Sequence, residues 1–128
     1  MKSITLPDTQ IIVPVRNGGA RWREAALALC TALTDPSCVA VIDSSSTDGS
    51  DRFAVDLRFS LQHIDPRTFN HGRTRQVAVD RFCQGKKFVV FLTHDAVIQG
   101  PESLESLLDA FRDPKIGAAY GRQVPHHD

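Results

Sequence analysis

Four short stretches of the sequence hold the polar side chains that could perform chemistry: IIVPVRNGG (11–19), VIDSSSTDGS (41–50), FNHGRTRQ (69–76) and FLTHDA (91–96). In two of them an apolar run ends at or near a carboxylate, Asp43 and Asp95. Asp43 suits the hydrogen-bond donors of a sugar hydroxyl or a base imide, as the strand-end acid does in dinucleotide folds. Asp95 offers the hard oxygen that Mg²⁺ or Mn²⁺ prefers, with substrate phosphates completing the ligands.

The other two stretches favour an anionic ligand. Arg73 and Arg75 follow Gly72 in the first turn of a predicted helix, where cations oppose the helix dipole unless an anion lies nearby. The Asn-Gly-Gly run at 17–19 permits a tight turn and close approach of the backbone to a ligand. A phosphate-containing ligand is indicated. Neither GxGxxG nor GxxxxGK[ST] occurs, so standard Rossmann-cofactor and P-loop sites are disfavoured.

Each motif also has a purely structural interpretation, which the sequence leaves open. Residues 43–49 could form only a turn and a helix N-cap, and the two arginines could be solvated on an exposed face. Trp22 is interpreted as a core anchor rather than a stacking platform for a ligand. His94 is a candidate metal ligand or a hydrogen-bonding neighbour of the metal site. The five histidines lack HExxH spacing, so a dedicated zinc centre is not predicted.

The apolar pattern predicts short strands that alternate with helices. Predicted strands cover 11–15, 39–43, 61–64, 88–92 and 117–120, and predicted helices cover 22–33, 73–83 and 102–112, with a shorter helix beginning near Asp51. Continuous runs such as FVVFL lack polar alternation, which is typical of a parallel sheet covered by helices on both faces. Pro14 removes a backbone donor and is placed at the end of the first strand.

Ligands of such a sheet bind beyond the carboxyl ends of its strands. The side chains that follow the first, second and fourth predicted strands should therefore meet at one edge. These groups begin at Arg16, Asp43 and Thr93.

Length and composition predict one globular domain. The 128 residues, 41% of them hydrophobic, suffice for one core, and the formal net charge of zero lacks the basic excess of a nucleic-acid binder. Three widely spaced cysteines fit neither a disulfide framework nor a CxxC zinc site, which favours a reducing compartment. No signal peptide or membrane span is recognisable. We therefore expect a cytoplasmic location, with peripheral attachment to the inner face of the membrane left open.

The four stretches, together with AAYGRQVPH near the end, resemble the family-two glycosyltransferases of the GT-A fold, especially bacterial rhamnosyltransferase-like members. The resemblance runs from about residue 11 to residue 126, with the motifs in the expected order. It implies a Rossmann-like α/β fold, mostly parallel with helices on both faces, that binds a nucleoside-diphosphate sugar. Residues 1–10 are predicted to be an N-terminal extension, and 11–128 the donor-binding domain.

The resemblance also implies roles for individual residues. Asp43 resembles the acid that contacts the base, Arg75 the basic residue near the nucleotide, and Asp95 the metal-binding member of the DxD motif. The metal would be Mn²⁺ or Mg²⁺. Arg122 and Gln123 lie in a segment similar to one that borders the sugar and acceptor pocket. The residues implied to bind the nucleotide are Pro14, Val15, Arg16, Asn17, Asp43, Ser45, Arg75, Thr93 and His94.

The sequence departs from the family pattern at Thr93 and in length. Many relatives have the first acid of the motif at this position, often assigned to the ribose, and the Thr93 hydroxyl could substitute for it. Family domains continue further, with an acidic general base and acceptor-binding helices, so this chain is expected to be a truncated donor half. The general base is expected beyond the chain end, and the surface left uncovered is expected to promote homo-oligomers.

The predicted function is metal-dependent, inverting transfer of a sugar from a dTDP-, UDP- or GDP-linked donor to a hydroxyl of a saccharide or lipid-linked acceptor, in polysaccharide or glycolipid synthesis. Glycoside hydrolysis fits less well, because no second carboxylate is evident to pair with Asp95 across a scissile bond. Two alternatives remain open: a non-catalytic nucleotide-sugar-binding or assembly module, and a structural α/β fragment that binds nothing. Donor hydrolysis or transfer would exclude the first, and nucleotide titration would test the second.

Overall fold

The computed structural model describes residues 2–68 and 70–126. Four strands of the described chain form one sheet: β1 (Thr9–Val15), β2 (Val39–Asp43), β3 (Ser60–His63) and β4 (Phe88–Phe91). Their order is β3-β2-β1-β4, and each neighbouring pair is parallel. The predicted parallel sheet is therefore confirmed, with β1 and β2 at its centre.

The described residues also form four α-helices: α1 (Gly19–Ala32), α2 (Ser50–Asp56), α3 (His71–Phe82) and α4 (Pro101–Asp109). Short 3₁₀ helices cover Pro36–Cys38, Pro66–Thr68 and Ala110–Arg112. The predicted helices are confirmed, with ends that differ by up to three residues. Within 2–68 and 70–126, no helix combines the length and the apolar character needed to cross a bilayer.

Apolar residues pack on both faces of the sheet, because successive residues of a strand point to opposite sides. The larger cluster joins the sheet to α1, α2 and α4 and includes Ile11, Val13, Val15, Trp22, Leu29, Ala54 and Leu104. On the opposite face, Ile12 and Ile42 pack against Ala78 of α3. The predicted coverage of both faces by helices is confirmed.

Pro14 is the penultimate residue of β1 and breaks no sheet hydrogen bond. In a parallel strand the N–H and C=O of one residue point to the same neighbour, and alternate residues point to opposite neighbours. The Ile12 carbonyl accepts the Leu92 N–H at 3.0 Å, so Pro14 also faces the β4 side. The β1–β4 pairing ends at Ile12 and Phe91. Pro14 thus lies, as predicted, where pairing on its side has ended.

The predicted fifth strand at 117–120 is wrong. Residues 116–126 have no regular secondary structure, and Tyr120 is 95% exposed. The Gly-Ala-Ala-Tyr run has the apolar composition of a short strand. A strand also requires a neighbouring backbone, and the sheet order of the described chain includes no such partner for this run.

The N-terminal residues pack against the end of α1. The Ile4 N–H donates to the Ala32 carbonyl at 2.8 Å, and the Thr34 N–H donates to the Ile4 carbonyl at 2.8 Å. β1 begins at Thr9, slightly before the predicted start. The division of the chain into 1–10 and 11–128 stays a prediction.

Candidate functional site

The carboxyl ends of the strands lie at one edge of the sheet, where the sequence predicted a site. Val15, Asp43 and His63 are aligned across β1, β2 and β3 as register partners. The turn after β4 reaches the same edge, since the ring of His94 lies close to Gly18 in the loop after β1. The predicted convergence of strand-end residues is therefore present in the fold.

The loop after β1 is hydrogen-bonded to the loop after β2. The Asn17 N–H donates to Ser46 Oγ at 2.9 Å, and the Thr47 N–H donates to Asn17 Oδ1 at 2.7 Å. Asn17 and Ser45 have φ angles of 46° and 58°, in the left-handed region that residues other than glycine seldom adopt. Such conformations persist where surrounding contacts hold them. Each loop therefore fixes the shape of the other.

Asp48 provides a second link between the two loops. Its Oδ2 accepts the Gly19 N–H at 3.0 Å, and its Oδ1 accepts the Ser50 N–H at 3.0 Å and the Ser50 hydroxyl at 2.6 Å. The Ser50 hydroxyl is the largest cause of a lowered pKa of Asp48. The resulting stabilisation is present above the ordinary pKa of an aspartate and is lost as pH falls through the lowered value. Asp48 therefore binds the first backbone N–H groups of α1 and α2 from the preceding turn, whereas the N-cap residue of α2 is Gly49.

Gly18 lies at the contact of the β1 loop with Trp22 and His94. A Cβ added at Gly18 would lie 2.4 Å from Trp22 Cβ and 3.3 Å from His94 Cδ2. We expect Gly18→Ala to destabilise the fold by roughly 1–3 kcal/mol, the usual range for overpacking. Gly117→Ala is the matched control, because its added carbon meets nothing within 4 Å. Thermal unfolding compares the two variants, and equal melting temperatures would contradict the close contact at Gly18.

Asp43 is buried, and Ser46 holds its carboxylate in one orientation. The Ser46 N–H donates to Asp43 Oδ2 at 2.9 Å, and the Ser46 hydroxyl donates to Asp43 Oδ1. The same hydroxyl oxygen accepts the Asn17 N–H. The β1 loop therefore orients the serine that orients Asp43.

Asp51 and His63 adjoin Asp43, and neither residue was predicted from the sequence to belong to the site. His63 Nε2 lies 3.0 Å from Asp51 Oδ2 and 3.9 Å from Asp43 Oδ2. The hydrogen bond from His63 is the largest cause of a lowered pKa of Asp51. One ligand atom from each of the three residues lies within 4.8 Å of the others, a spacing that could hold a cation. The strand register of the structure, which pairs His63 with Asp43, brings these residues together.

The turn after β4 carries Thr93, His94 and Asp95. The Thr93 hydroxyl hydrogen-bonds the Asp95 carboxylate and is the largest cause of the lowered pKa of Asp95, which partial burial opposes. The His126 ring lies 2.8 Å from the Asp95 carbonyl oxygen, so the C-terminal segment returns to this turn. Asp95 is therefore held by its own turn as an ionised, partly exposed carboxylate at neutral pH.

Arg75 lies on α3 next to the end of β4. Its guanidinium carbon is 5.8 Å from the centroid of the Phe91 ring, within cation–π range, and its Nη1 donates to the His71 carbonyl at 3.4 Å. The Asn70 side chain caps α3 by accepting the Arg73 N–H at 3.0 Å. Arg75 is half-buried and Arg73 is exposed, so of these two arginines only Arg75 is packed against the sheet.

The other residues predicted to belong to the site differ in their exposure and in their contacts with this edge. Val15 is buried and Pro14 is half-buried. These two residues therefore belong to the packed end of β1 at this edge of the sheet. The exposed predicted residues are Arg16, Asn17, Ser45, Thr93, Arg122 and Gln123. Arg122 and Gln123 belong to the irregular segment 116–126, which reaches the edge through the contact between His126 and Asp95.

Comparison with curated proteins identifies two longer relatives. The chain is 41% identical over 124 residues to the O-antigen chain rhamnosyltransferase WbaN of Salmonella anatum, covering 96% of this chain and 39% of that protein. It is 37% identical over 119 residues to the O-antigen chain rhamnosyltransferase RfbN of Salmonella typhimurium, covering 92% of this chain and 38% of that protein. The chain therefore spans about two fifths of the length of these relatives.

Fold and motif comparisons agree with these relatives. The crystal structure of TarS 1–349 from S. aureus matches with a TM-score of 0.67 and 25% identity, over 93% of this chain and 38% of that one. This likeness confirms the predicted GT-A class of α/β fold. Residues 10–127 match the family described as glycosyl transferase family 2. The chain belongs to glycosyl transferase family 2.

Proposed function

We propose that this chain forms the nucleotide-sugar-binding part of a glycosyltransferase that transfers a sugar from a nucleoside-diphosphate donor to an acceptor hydroxyl. Family membership and the polar edge of the sheet support the proposal. The observation that carries it is the placement of Asp43 at the end of β2 and of Asp95 in the turn after β4, with β1 between the two strands. Two strand spacings separate these strands, roughly 10 Å. That distance suits a ligand with a base at one end and a diphosphate at the other.

The two ends of this edge differ in chemistry, which sets the proposed orientation of the donor. Asp43 is an acceptor and suits a base N–H, whereas Arg75 and the β4 turn suit the phosphates. The polar loop after β1, from Arg16 to Gly18, lies between them in the proposed site. The ribose would lie near Thr93.

The residues of the β4 turn fit a divalent cation. Asp95 offers a carboxylate oxygen whose lowered pKa keeps it ionised at neutral pH, and hard oxygen donors suit Mn²⁺ or Mg²⁺. In the proposed complex Asp95 holds the cation together with the donor diphosphate. Such a cation, when bound, neutralises the charge that develops on the leaving nucleoside diphosphate.

The finer aspects of the reaction are proposed from the names of the relatives and from the resemblance to the family. Because two relatives are named O-antigen chain rhamnosyltransferases, we propose a rhamnose-type donor sugar and a saccharide or lipid-linked acceptor at the cytoplasmic face of the membrane. Arg122 and Gln123 are proposed to border the sugar and acceptor.

Transfer is proposed to invert the anomeric centre, with a general base outside these 128 residues. The anomeric configuration of the product of the full-length protein, measured by NMR, tests inversion, and a retained configuration would refute it.

The proposed site is tested by replacing Asp43 and Arg75 and titrating with UDP, dTDP and GDP. We expect Asp43→Asn to change the discrimination between pyrimidine and guanine nucleotides, because it alters the hydrogen-bonding pattern at the base. The binding free energy of the nucleotide with the preferred base should weaken by roughly 1–3 kcal/mol. We expect Arg75→Ala to weaken all three nucleotides more evenly and to reduce the salt dependence of binding, since phosphate attraction is screened by salt.

Arg52→Ala is the matched control for Arg75→Ala, because Arg52 is an exposed arginine of α2 paired with Asp56. Isothermal titration calorimetry measures all variants with Mn²⁺ present. Unchanged affinities in both Asp43→Asn and Arg75→Ala would show that the nucleotide does not bind at this edge. Nucleotide binding without donor hydrolysis or transfer by the full-length protein would instead support a non-catalytic binding module.

A further inference from the structure

The carboxylate proposed to meet the base is covered in this structure. The Asp43 side chain is 0% exposed, whereas the neighbouring side chains of His63 and Asp51 are 58% and 31% exposed. A ligand at the strand ends therefore meets His63 before it can reach Asp43. His63 is the register partner of Asp43 on the adjacent strand, so both side chains point to the same face of the sheet.

The two polar neighbours of Asp43 are held differently. Ser46 is fixed by hydrogen bonds to both carboxylate oxygens and by the hydrogen bond that it accepts from Asn17. The His63 ring is bonded through Nε2 to Asp51 at 3.0 Å and stands 3.9 Å from Asp43 Oδ2, beyond hydrogen-bond distance. His63 can therefore turn away from Asp43 at lower energetic cost than Ser46 can.

We propose that His63 is a second base-contacting residue: as an imidazolium whose Nε2–H stays on Asp51, it turns from the face of Asp43 and donates its Nδ1–H to the base carbonyl next to the N–H that Asp43 accepts. This inference rests on the proposed function. It assigns to the Asp51–His63 pair the recognition of one base atom. Asp51 acts as a positioning residue, because it orients the ring without contact with the base.

The chemistry of the bases explains why a donor is required beside Asp43. An ionised carboxylate only accepts hydrogen bonds, so it selects an N–H on the pairing edge of the base. In uracil and thymine that N–H is flanked by two carbonyls, and in guanine it adjoins one. When the base N–H bonds to the carboxylate, the adjacent base carbonyl also enters the site. If the protein offers that carbonyl no hydrogen-bond donor, the binding free energy is weakened by about the value of one hydrogen bond. The Ser46 donors are already engaged with Asp43, so the His63 ring supplies the donor.

A substitution in the base, combined with a substitution in the protein, isolates this contact. We propose to titrate the chain, with Mn²⁺ present, with UDP and with its 2-thio and 4-thio analogues, in which one carbonyl oxygen becomes a weaker sulfur acceptor. For the parent chain we expect one of the two analogues to bind about five- to tenfold more weakly than UDP, the size of one hydrogen bond. For His63→Phe, which keeps a ring and removes both nitrogens, UDP and that analogue should bind equally.

Two conservative variants separate base contact from a merely structural effect. His63→Gln keeps a side-chain N–H donor. It should therefore recover part of the preference for UDP over the thio analogue that His63→Phe loses. Asp51→Asn should reduce that preference, because its side chain holds the ring less firmly. Asp56→Asn is the matched control, since Asp56 lies in the same helix and pairs with Arg52. It should leave the preference unchanged.

The outcomes distinguish the inference from the proposed function. If the parent chain binds none of UDP, dTDP and GDP, the proposed function fails, and the inference fails with it. If the parent binds UDP but His63→Phe keeps the same ratio of UDP to thio-UDP affinities, the inference alone is wrong. Mn²⁺ binding without nucleotide that is lost in His63→Phe would also overturn it, because Asp43, Asp51 and His63 would then hold a cation instead.

Discussion

Replacing Trp22 with alanine is expected to destabilise the fold by about 3–5 kcal/mol, the usual range for a buried tryptophan, and to lower the melting temperature by about 10–20 °C. Trp22 is 0% exposed and lies in the larger apolar cluster, with its ring 6.3 Å from that of Phe59. Its Nε1 donates to the Ser50 carbonyl at 3.0 Å, at the start of α2. The variant therefore loses apolar contacts and also removes one of the hydrogen-bond donors to the buried Ser50 carbonyl.

Thermal unfolding followed by circular dichroism measures this loss. Leu27→Ala is the matched control, because Leu27 lies on the same helix with 51% of its surface exposed, and its replacement should change stability little. Trp22→Phe keeps a ring and removes the N–H, so its loss should lie between those of the two alanine variants. If Trp22→Ala unfolds at the temperature of Leu27→Ala, the ring does not anchor α1 to the sheet and α2.

Replacing Asp95 with alanine is expected to abolish the coupling between divalent cation and nucleotide, a coupling of about 1–3 kcal/mol in the parent chain. One carboxylate offers too few oxygens for an octahedral cation, so the donor diphosphate must complete the ligands in the proposed complex. Mn²⁺ should therefore strengthen nucleoside-diphosphate binding by the parent chain. Asp95→Asn should retain a small part of this effect, because an amide oxygen is a weaker ligand than a carboxylate.

Calorimetric titration of UDP and dTDP with and without Mn²⁺ gives the coupling for each variant. Asp109→Ala is the control, because Asp109 is an exposed carboxylate of α4 that pairs with Arg112. It should leave the coupling unchanged. Equal enhancement by Mn²⁺ in the parent chain and in Asp95→Ala would remove Asp95 from the cation site.

The sequence predicted the sheet and the helices well where one residue pattern determined the outcome. The run Val39–Asp43 is apolar up to its final carboxylate, and it forms β2 with the predicted ends. The helix predicted from Arg73 begins at His71, because Asn70 caps it and Gly72 is accommodated in the first turn. The strand predicted at 117–120 failed because apolar composition does not report whether a neighbouring strand is present.

The candidate site was predictable to the extent that topology alone places residues. The rule that ligands bind beyond the ends of parallel strands brought Asp43 and Asp95 to one edge. It could not show that Asp43 is covered, or that Asp51 and His63 adjoin it, because both facts depend on side-chain packing. The hydrogen bonds from Ser46 to Asp43 likewise depend on a φ of 58° at Ser45, which composition does not reveal.

The strand order also affects how the sheet can assemble during synthesis. β1 leaves the ribosome before β2, β3 and β4, yet one of its two neighbours is β4, so Thr9 cannot pair until Phe88 has been synthesised. Contacts between such distant residues form late, because closing a long loop reduces chain entropy before the contact is gained. β1, β2 and β3 can pair earlier with the help of α1 and α2. One edge of the central strand β1 is therefore unpaired until β4 has been translated, and in that interval the nascent chain is most exposed to pairing with other chains.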